Sequence, residues 1–314
     1  MELFPSLPYA EWRETKETLH RFAQVVGKVR LAASARRNHW WNVPYHLTGR
    51  GITTRPMGLD DQGRFFCLDF DFVDHRLLAM TGDGRQVSFP LPGLSVAGFY
   101  RTLRTALGDL GIPVRIRRPR PFDLPDAARP FVEDDEHCVY EPDRVNRYWV
   151  ILSQVNLVLE EYAAQWSGKT SPVHHFWHTF DIAVTRFSGT SVDPLGAVDP
   201  VTREAYSREV ISAGFWFGDP SFPEPAFYSY TAPQPAGLEH SPLRPEAASW
   251  VARDSGTHLA ILTYEDVRTA PSPRAEVLAF LDSAFLAGAG AAGWDVARDA
   301  CPGGVTDSAR TRTA

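Results

Sequence analysis

Long segments of helical periodicity alternate with short runs rich in aromatic and β-branched residues, and this order of elements occurs twice along the chain. Apolar side chains recur at helical intervals over Tyr9–Val26 and over Asp143–Trp166. Strand-like runs follow each segment, and a further helical segment closes each set, at Ser95–Leu110 and at Ser272 to about Ala287. This order predicts an α+β protein of two similar halves, each a small antiparallel sheet flanked by helices.

The predicted boundary between the halves is a segment rich in Arg, Pro and Asp, residues 113–140. It separates a half formed by residues 1–112 from a half formed by residues 141–290, and residues 291–314 are expected to form a flexible tail. The first helix is predicted to end at Gly27, because glycine is common just after helices. Strands are expected at Lys28–Ala32, Trp40–Thr48, Phe65–Val73, Gln86–Phe89, Phe180–Phe187, Ile211–Phe217, Ala226–Tyr230 and Leu259–Tyr264.

Two His-aromatic-Trp segments suggest that the halves arose by internal duplication. In both segments a tryptophan follows the histidine at plus two and an arginine follows it at plus eleven. The two sets are His39, Trp41 and Arg50, and His175, Trp177 and Arg186. The interval from the preceding Gly-Lys pair to the histidine differs between the halves, so duplication and coincidence both stay open.

Charge and composition narrow the class of protein. The formal net charge is −6 and is spread along the chain, so no basic field attracts a phosphate backbone and nucleic acid is not an expected partner. Without an apolar run of about 18 residues or a secretory signal, we expect no membrane span and a cytoplasmic location. Three cysteines exclude a four-cysteine zinc site, and the common motifs of nucleotide-binding folds, zinc proteases and serine hydrolases are absent.

Several long motifs, rich in rare residues, extend over nearly the whole chain. They are HWW at His39–Trp41, FDFVDH at Phe70–His75, GKTSPVHHFW at Gly168–Trp177, TRFSG at Thr185–Gly189, and the nearby AYSRE and SAGFW. With these motifs the chain resembles the bacterial family DUF5996, an uncharacterised domain, so the resemblance implies membership and no mechanism. The chain departs from the family pattern at Asn42, His178 and Arg208, and we expect no essential chemistry at those positions.

The run Phe65–His75 is predicted to be one strand with an apolar face and a polar face. Asp69, Asp71 and His75 lie on the polar face in this interpretation. Two carboxylates and an imidazole on one face could ligate a metal or act as acid and base. The alternative is a solvated strand face.

His39, His174 and Glu209 are the predicted ligands of one divalent metal. The adjacent His174 and His175 point to opposite sides of an extended segment, so one metal is not expected to use both. The ion would polarise a substrate oxygen or activate water. Structural hydrogen bonding is the alternative for each histidine.

Four residues are predicted to contact a ligand directly: Trp41, Arg50, Trp177 and Tyr206. An indole can stack on a planar substrate or a cation, and a guanidinium binds a carboxylate or phosphate through two hydrogen bonds. Arg186 is expected to orient an anionic group in the same way. Core packing of the tryptophans and ordinary salt bridges of the arginines are the alternatives.

Three hypotheses for function follow. The leading one is an enzyme acting on a small molecule, with a pocket between the two halves and either with or without one divalent metal. Its catalytic residues would be His39, Asp71, His75, His174, Arg186 and Glu209. The second hypothesis is a metal-free module that binds or senses a small anionic or aromatic ligand, and the third is a structural or assembly protein.

Overall fold

The computed structural model describes residues 2–193 and 198–306, and the chain divides into two compact units. The first unit comprises Ala10–Ser153 and His175–Phe180. The second unit comprises the described residues of Met1–Tyr9, Gln154–His174 and Asp181–Ala314. Neither unit is continuous in sequence, and the segment 113–140 belongs to the first unit.

The first unit is built on a five-stranded antiparallel sheet whose strands are neighbours in chain order. Consecutive antiparallel strands need only short connections, which suits the Gly- and Asp-containing turns between them. The elements of this unit are α1 (Tyr9–Ala33), β1 (His46–Thr48), β2 (Gly51–Thr53), β3 (Phe66–Asp71), β4 (Arg76–Thr81), β5 (Gln86–Pro90), α2 (Val96–Asp109) and the first part of α3 (Pro142–Ala164).

Aromatic side chains join the sheet of the first unit to its helices. Phe99 of α2 stacks on Phe70 of β3 and on Phe22 of α1, with ring centroids 6.1 Å and 4.2 Å apart. All three side chains are buried, as expected for the core-facing positions of a strand and two amphipathic helices. The Ser95 side chain accepts a hydrogen bond from the Gly98 N–H, which confirms the predicted start of α2.

The prediction that the first helix ends at Gly27 is wrong. Helix α1 continues to Ala33, so the strand predicted over Lys28–Ala32 is helical. A Cβ atom on Gly27 would lie 2.3 Å from Cγ of Trp177, whose side chain is buried. The glycine therefore marks a close approach of the indole to the helix backbone and not a helix end.

The strand predicted over Phe65–Val73 ends at Asp71, and a turn over residues 72–75 leads into β4. The Asp71 carboxylate accepts hydrogen bonds from the backbone N–H groups of Val73 and Asp74, both at 2.9 Å. Such side-chain-to-backbone bonds are typical of turns that begin with Asp. The expectation that Asp71 and His75 share one strand face is wrong, because the turn separates them.

The second unit is built on a six-stranded sheet with a long helix packed against it. Its elements are the rest of α3, β6 (His174–His175, of which His174 belongs to this unit), β7 (Ile182–Ser191), α4 (Pro200–Ala205), β8 (Arg208–Trp216), β9 (Ala226–Ala232), β10 (Ser249–Ala252), β11 (His258–Thr263), α5 (Tyr264–Thr269), α6 (Pro273–Ala291) and α7 (Val296–Asp299). The strand order is β10-β11-β9-β8-β7-β6. A Cβ atom on Gly288 of α6 would lie 2.1 Å from Oγ1 of Thr231, so this helix lies directly against β9.

Helices and antiparallel sheets occur in both units, which confirms the predicted α+β class. Internal duplication stays a prediction. The two His-aromatic-Trp segments differ locally, because His39 and Trp40 lie in a short 3-10 helix with φ angles of 52° and 58°, whereas His175 belongs to β6. Within the described ranges no helix has the length and apolar character that a membrane span requires. The predicted flexible tail includes residues 307–314, which lie outside the described residues.

Candidate functional site

A cleft of about 1470 Å³ opens on the first unit. Its walls are the end of α1 from Lys28 to Ala33, the loop before β3, the turn between β4 and β5, and the segment from Leu110 to Arg118 that follows α2. Ligand pockets in proteins usually enclose roughly 300–1,000 Å³. The cleft therefore has room for a small molecule together with bound water.

The two acidic residues that line the cleft are each paired within their own loop. Asp60 lies 2.7 Å from Nε of Arg64, and Asp83 lies 2.9 Å from Nε of Arg85. Hydrogen bonds, mainly from the Arg64 backbone to Asp60 and from the Thr81 hydroxyl to Asp83, hold the pKa values of both carboxyls below their ordinary range. Each of these two carboxylates is therefore already compensated by an arginine of its own loop.

Three arginines on the segment after α2 line the same cleft, namely Arg115, Arg117 and Arg118. All three are exposed, and in the part of the chain that the structure describes no carboxylate lies within 4.0 Å of their guanidinium groups. Between them, Val114 and Ile116 are half-buried and line a small void with apolar side chains of α1 and α2. Because side chains of an extended segment alternate in direction, this packing turns Arg115 and Arg117 outward.

Lys28 of α1 lines the cleft. Its Nζ lies 5.6 Å from the centroid of the Trp177 ring and, among residues 2–193 and 198–306, has no carboxylate within 4.0 Å. Burial, together with the charges of Arg118 and Arg120, lowers the pKa of this amine to about 8. At pH 7 roughly a tenth of the Lys28 amine is therefore uncharged, which is far more than for an ordinary surface lysine.

Apolar side chains form part of the same walls and remain accessible. Leu31 and Phe65 are each 40% exposed, and Leu59 is 76% exposed. The Phe65 ring lies over Gly82, where an added Cβ atom would come within 2.5 Å of the ring. An exposed aromatic ring of this kind offers a face on which a flat apolar molecule can stack.

Arg50 and Asp71, both predicted site residues, form an ion pair at the turn between β3 and β4. Nε of Arg50 lies 2.7 Å from Asp71, and its Nη2 lies 2.7 Å from Asp74. Burial opposes ionisation of Asp71, but hydrogen bonds from Arg50 and from the backbone of the turn keep its pKa below the ordinary value. Nδ1 of His75 lies 3.1 Å from the Tyr140 hydroxyl, and burial lowers the pKa of this imidazole. These contacts stabilise the turn.

The histidines predicted as ligands are buried. The His39 ring lies 5.5 Å from the ring of Trp41, which is half-buried. His174 is buried, and Nε2 of its neighbour His175 lies 2.8 Å from the Tyr148 hydroxyl. The contact of His175 is the kind of structural hydrogen bond that was the alternative to metal binding for each histidine.

Arg186 is enclosed by aromatic rings of the second unit. Its Cζ lies 3.7 Å from the ring centroid of Tyr162 and 4.4 Å from that of Phe285. Nη2 donates a hydrogen bond of 2.5 Å to the Tyr162 carbonyl oxygen, and burial lowers the pKa of the guanidinium. An arginine packed in this way stabilises the unit through cation–π contacts.

Glu209 and Tyr206, predicted as a metal ligand and a ligand-binding residue, contact other side chains of the second unit. The Glu209 carboxylate accepts hydrogen bonds from the Ser188 hydroxyl at 2.7 Å and from the Trp294 indole at 3.2 Å. The Tyr206 hydroxyl lies 3.0 Å from the Tyr230 hydroxyl. One oxygen of Glu209 therefore already has two donors.

In the described residues one group of three potential metal ligands brings its atoms within 4.8 Å of one another: Asp126, Asp134 and His137. It contains none of the predicted ligands His39, His174 and Glu209. Arg21 lies 2.5 Å from Asp126, and Nδ1 of His137 lies 2.9 Å from Asp134. Because protein donors already satisfy these carboxylates, the cluster is explained as a salt-bridge network.

His20 gives the first unit a predictable dependence on acid. Its buried Nε2 lies 3.1 Å and 3.2 Å from the carbonyl oxygens of Trp177 and His178. Burial, with the charges of Lys16 and Arg21, lowers the pKa well below the ordinary 6.5 despite these carbonyls. Below about pH 6.5 the unfolded chain therefore binds more protons at His20 than the folded chain does. The contribution of His20 to stability is fully present above about pH 6.5 and is lost as the pH falls.

Below about pH 6.5 we expect the free energy of unfolding to fall by up to about 1.4 kcal/mol per pH unit because of this group. Chemical denaturation of the wild type and His20→Gln at several pH values measures the slope, which should be smaller in the variant. His240→Gln is the control, because His240 is 83% exposed. Equal slopes in all three proteins would contradict a neutral, buried His20.

The chain was compared with protein families, curated proteins and solved structures. Neither the curated proteins nor the solved structures include a match. The model of one family, described as "Family of unknown function (DUF5996)", matches residues 4–301, nearly the whole chain. The chain therefore belongs to the DUF5996 family.

Proposed function

We propose that the first unit binds a small molecule that carries a phosphate or carboxylate group on a flat apolar body. The observation that supports this most strongly is the juxtaposition of Arg115, Arg117 and Arg118, which lack carboxylate partners among the described residues, with the exposed ring of Phe65 in one cleft. The hypothesis of a metal-free binding module is thereby preferred. The metal-dependent enzyme and the assembly protein stay predictions.

The positive charges of the cleft arginines favour an anionic ligand. The chain as a whole has a net charge of −6, whereas the acidic residues of the cleft are already paired with Arg64 and Arg85. A guanidinium group can donate two parallel hydrogen bonds to a carboxylate or phosphate, which gives orientation as well as affinity. The exposed arginines remain hydrated, so each contact contributes modestly and several are needed.

The apolar side chains of the cleft favour a ligand that also carries an apolar portion. Leu31, Leu59 and Phe65 bury additional surface only if the ligand carries an apolar portion, and each Å² of apolar surface removed from water contributes about 25 cal/mol. Inorganic phosphate alone would not use this wall. A neutral aromatic molecule would not use the arginines.

Titration calorimetry with 1-naphthyl phosphate, 1-naphthol and inorganic phosphate tests whether the arginines and the apolar wall both contribute to binding. We expect 1-naphthyl phosphate to bind most tightly, by about tenfold or more over either fragment, because it alone engages both walls. The measurement should use a non-phosphate buffer of low ionic strength, since salt screens exposed charges. Equal affinity for 1-naphthol and 1-naphthyl phosphate would contradict the proposal.

A further inference from the structure

Lysine is rare in this chain, which makes the position of Lys28 informative. The sequence contains three lysines, at 16, 28 and 169, against 29 arginines. Arginine stays charged at any physiological pH, whereas a lysine amine can lose its proton and become a nucleophile. Lys28 lines the same cleft as Arg115 and Arg118, so the cleft combines permanent cations with an amine that can lose its proton.

The surroundings of Lys28 favour an uncharged amine. Its Nζ faces the Trp177 ring at 5.6 Å, with the cations Arg118 and Arg120 near enough to act on it electrostatically. No carboxylate of the described residues lies within 4.0 Å to hold the ammonium form. Partial burial and neighbouring cations are the two conditions known to activate a lysine as a nucleophile, and they lower the pKa of Lys28 to about 8.

We infer that Nζ of Lys28 condenses with an aldehyde or ketone group of the anionic ligand and forms an imine. This inference rests on the proposed function, because the arginines hold the anionic end of the ligand while the carbonyl reaches Lys28. The structure places Lys28, Arg115 and Arg118 on the walls of the same cleft. The ligand class is thus an aromatic or apolar carbonyl compound with a carboxylate or phosphate group.

The reaction needs no further reactant. The lone pair of the neutral amine adds to the carbonyl carbon, and the carbonyl oxygen takes up a proton as the nitrogen gives one up. The resulting carbinolamine loses its hydroxyl group and the second nitrogen proton as water, which leaves a carbon–nitrogen double bond. Amine and carbonyl compound therefore give imine and water.

Reductive trapping tests the inference with 4-carboxybenzaldehyde as the probe, benzaldehyde as its neutral counterpart and cyanoborohydride as the reductant. Peptide mass spectrometry then measures the modified fraction of each lysine. We expect Lys28 to be labelled about tenfold faster than Lys16 at about pH 7.5, since more of its amine is neutral. It should also be labelled faster than Lys169, whose pKa burial lowers as well but which lies outside the cleft walls. We also expect the preference to be larger with 4-carboxybenzaldehyde than with benzaldehyde, because only the carboxylate can contact the arginines of the cleft.

Lys28→Arg separates this inference from the proposed function, because arginine retains the positive charge but cannot form the imine. The variant should lose the selective label and still bind 1-naphthyl phosphate within about threefold of the wild type. Equal labelling of the three lysines, with normal binding of 1-naphthyl phosphate, would overturn the role of Lys28 and leave the binding function standing. Failure of the wild type to bind 1-naphthyl phosphate would count against both.

Discussion

Replacing Gly27 by alanine is expected to lower the free energy of unfolding by about 1–3 kcal/mol, the usual cost of overpacking a filled core. The added Cβ atom would lie 2.3 Å from Cγ of Trp177, and this side chain is buried. In an exposed helix interior the same substitution would stabilise by about 1 kcal/mol, since alanine is the better helix former. The close contact therefore reverses the sign of the ordinary effect.

Gly108→Ala is the matched control for this prediction. Gly108 lies in α2 of the same unit, and a Cβ atom there would meet no heavy atom within 4 Å. We expect this variant to gain roughly 0.5–1 kcal/mol. Chemical denaturation of both variants decides the matter, and a stabilised Gly27→Ala protein would mean that Trp177 does not pack on α1.

Removing the three arginine charges of the cleft is expected to weaken binding of 1-naphthyl phosphate by about tenfold at low ionic strength. Each exposed charge contact contributes about 0.5 kcal/mol, so three of them together approach the 1.4 kcal/mol that corresponds to a factor of ten. The variant is Arg115→Gln, Arg117→Gln and Arg118→Gln combined. Calorimetry at about 20 mM and 150 mM salt should show a weaker salt dependence in the variant than in the wild type.

The control is a second triple variant that removes the same formal charge elsewhere: Arg13→Gln, Arg37→Gln and Arg253→Gln. These arginines are exposed, lie outside the cleft walls, and have no ion pair in the described part of the chain. A general effect of net charge would weaken binding in both triple variants. A specific effect of the cleft arginines would weaken binding only in the Arg115, Arg117 and Arg118 variant.

Periodicity alone predicted the α+β class and most of the elements. The helices beginning after Ser95 and near Asp143 and the strands near Ala226 and Leu259 follow the predicted segments closely. These segments carry their own signals, such as a capping side chain or a regular apolar stripe. Local signals of this kind need no knowledge of the rest of the chain.

One error arose where a distant residue determines local structure, and another where a side chain bonds to the backbone that directly follows it. Glycine is common at helix ends, but Gly27 lies inside α1 where the side chain of Trp177, far along the sequence, approaches the helix backbone. Apolar and polar residues alternate along the run that contains Asp71, which predicted a longer strand. The Asp71 carboxylate instead accepts hydrogen bonds from the next backbone N–H groups, and these bonds stabilise a turn. Propensity cannot reveal a contact whose second partner is remote.

The candidate site was largely missed for the same reason. Lys28 lies within a segment predicted as a strand, and the arginines of residues 115–118 lie within the segment predicted as the boundary between the halves. Two signals in the sequence point to them: the scarcity of lysine and the alternation of Arg115 and Arg117 with Val114 and Ile116. Several of the histidines and tryptophans predicted as site residues, among them His39, His174 and Trp177, are buried.

The central claim is that the anionic group of a ligand contacts the arginines of this cleft, and a double-mutant cycle tests it most directly. The cycle compares 1-naphthyl phosphate with 1-naphthol in the wild type and in the Arg115, Arg117 and Arg118 triple variant. The account predicts that the phosphate group strengthens binding to the wild type by about tenfold but has little effect in the variant. An equal advantage of the phosphate group in both proteins would contradict the claim.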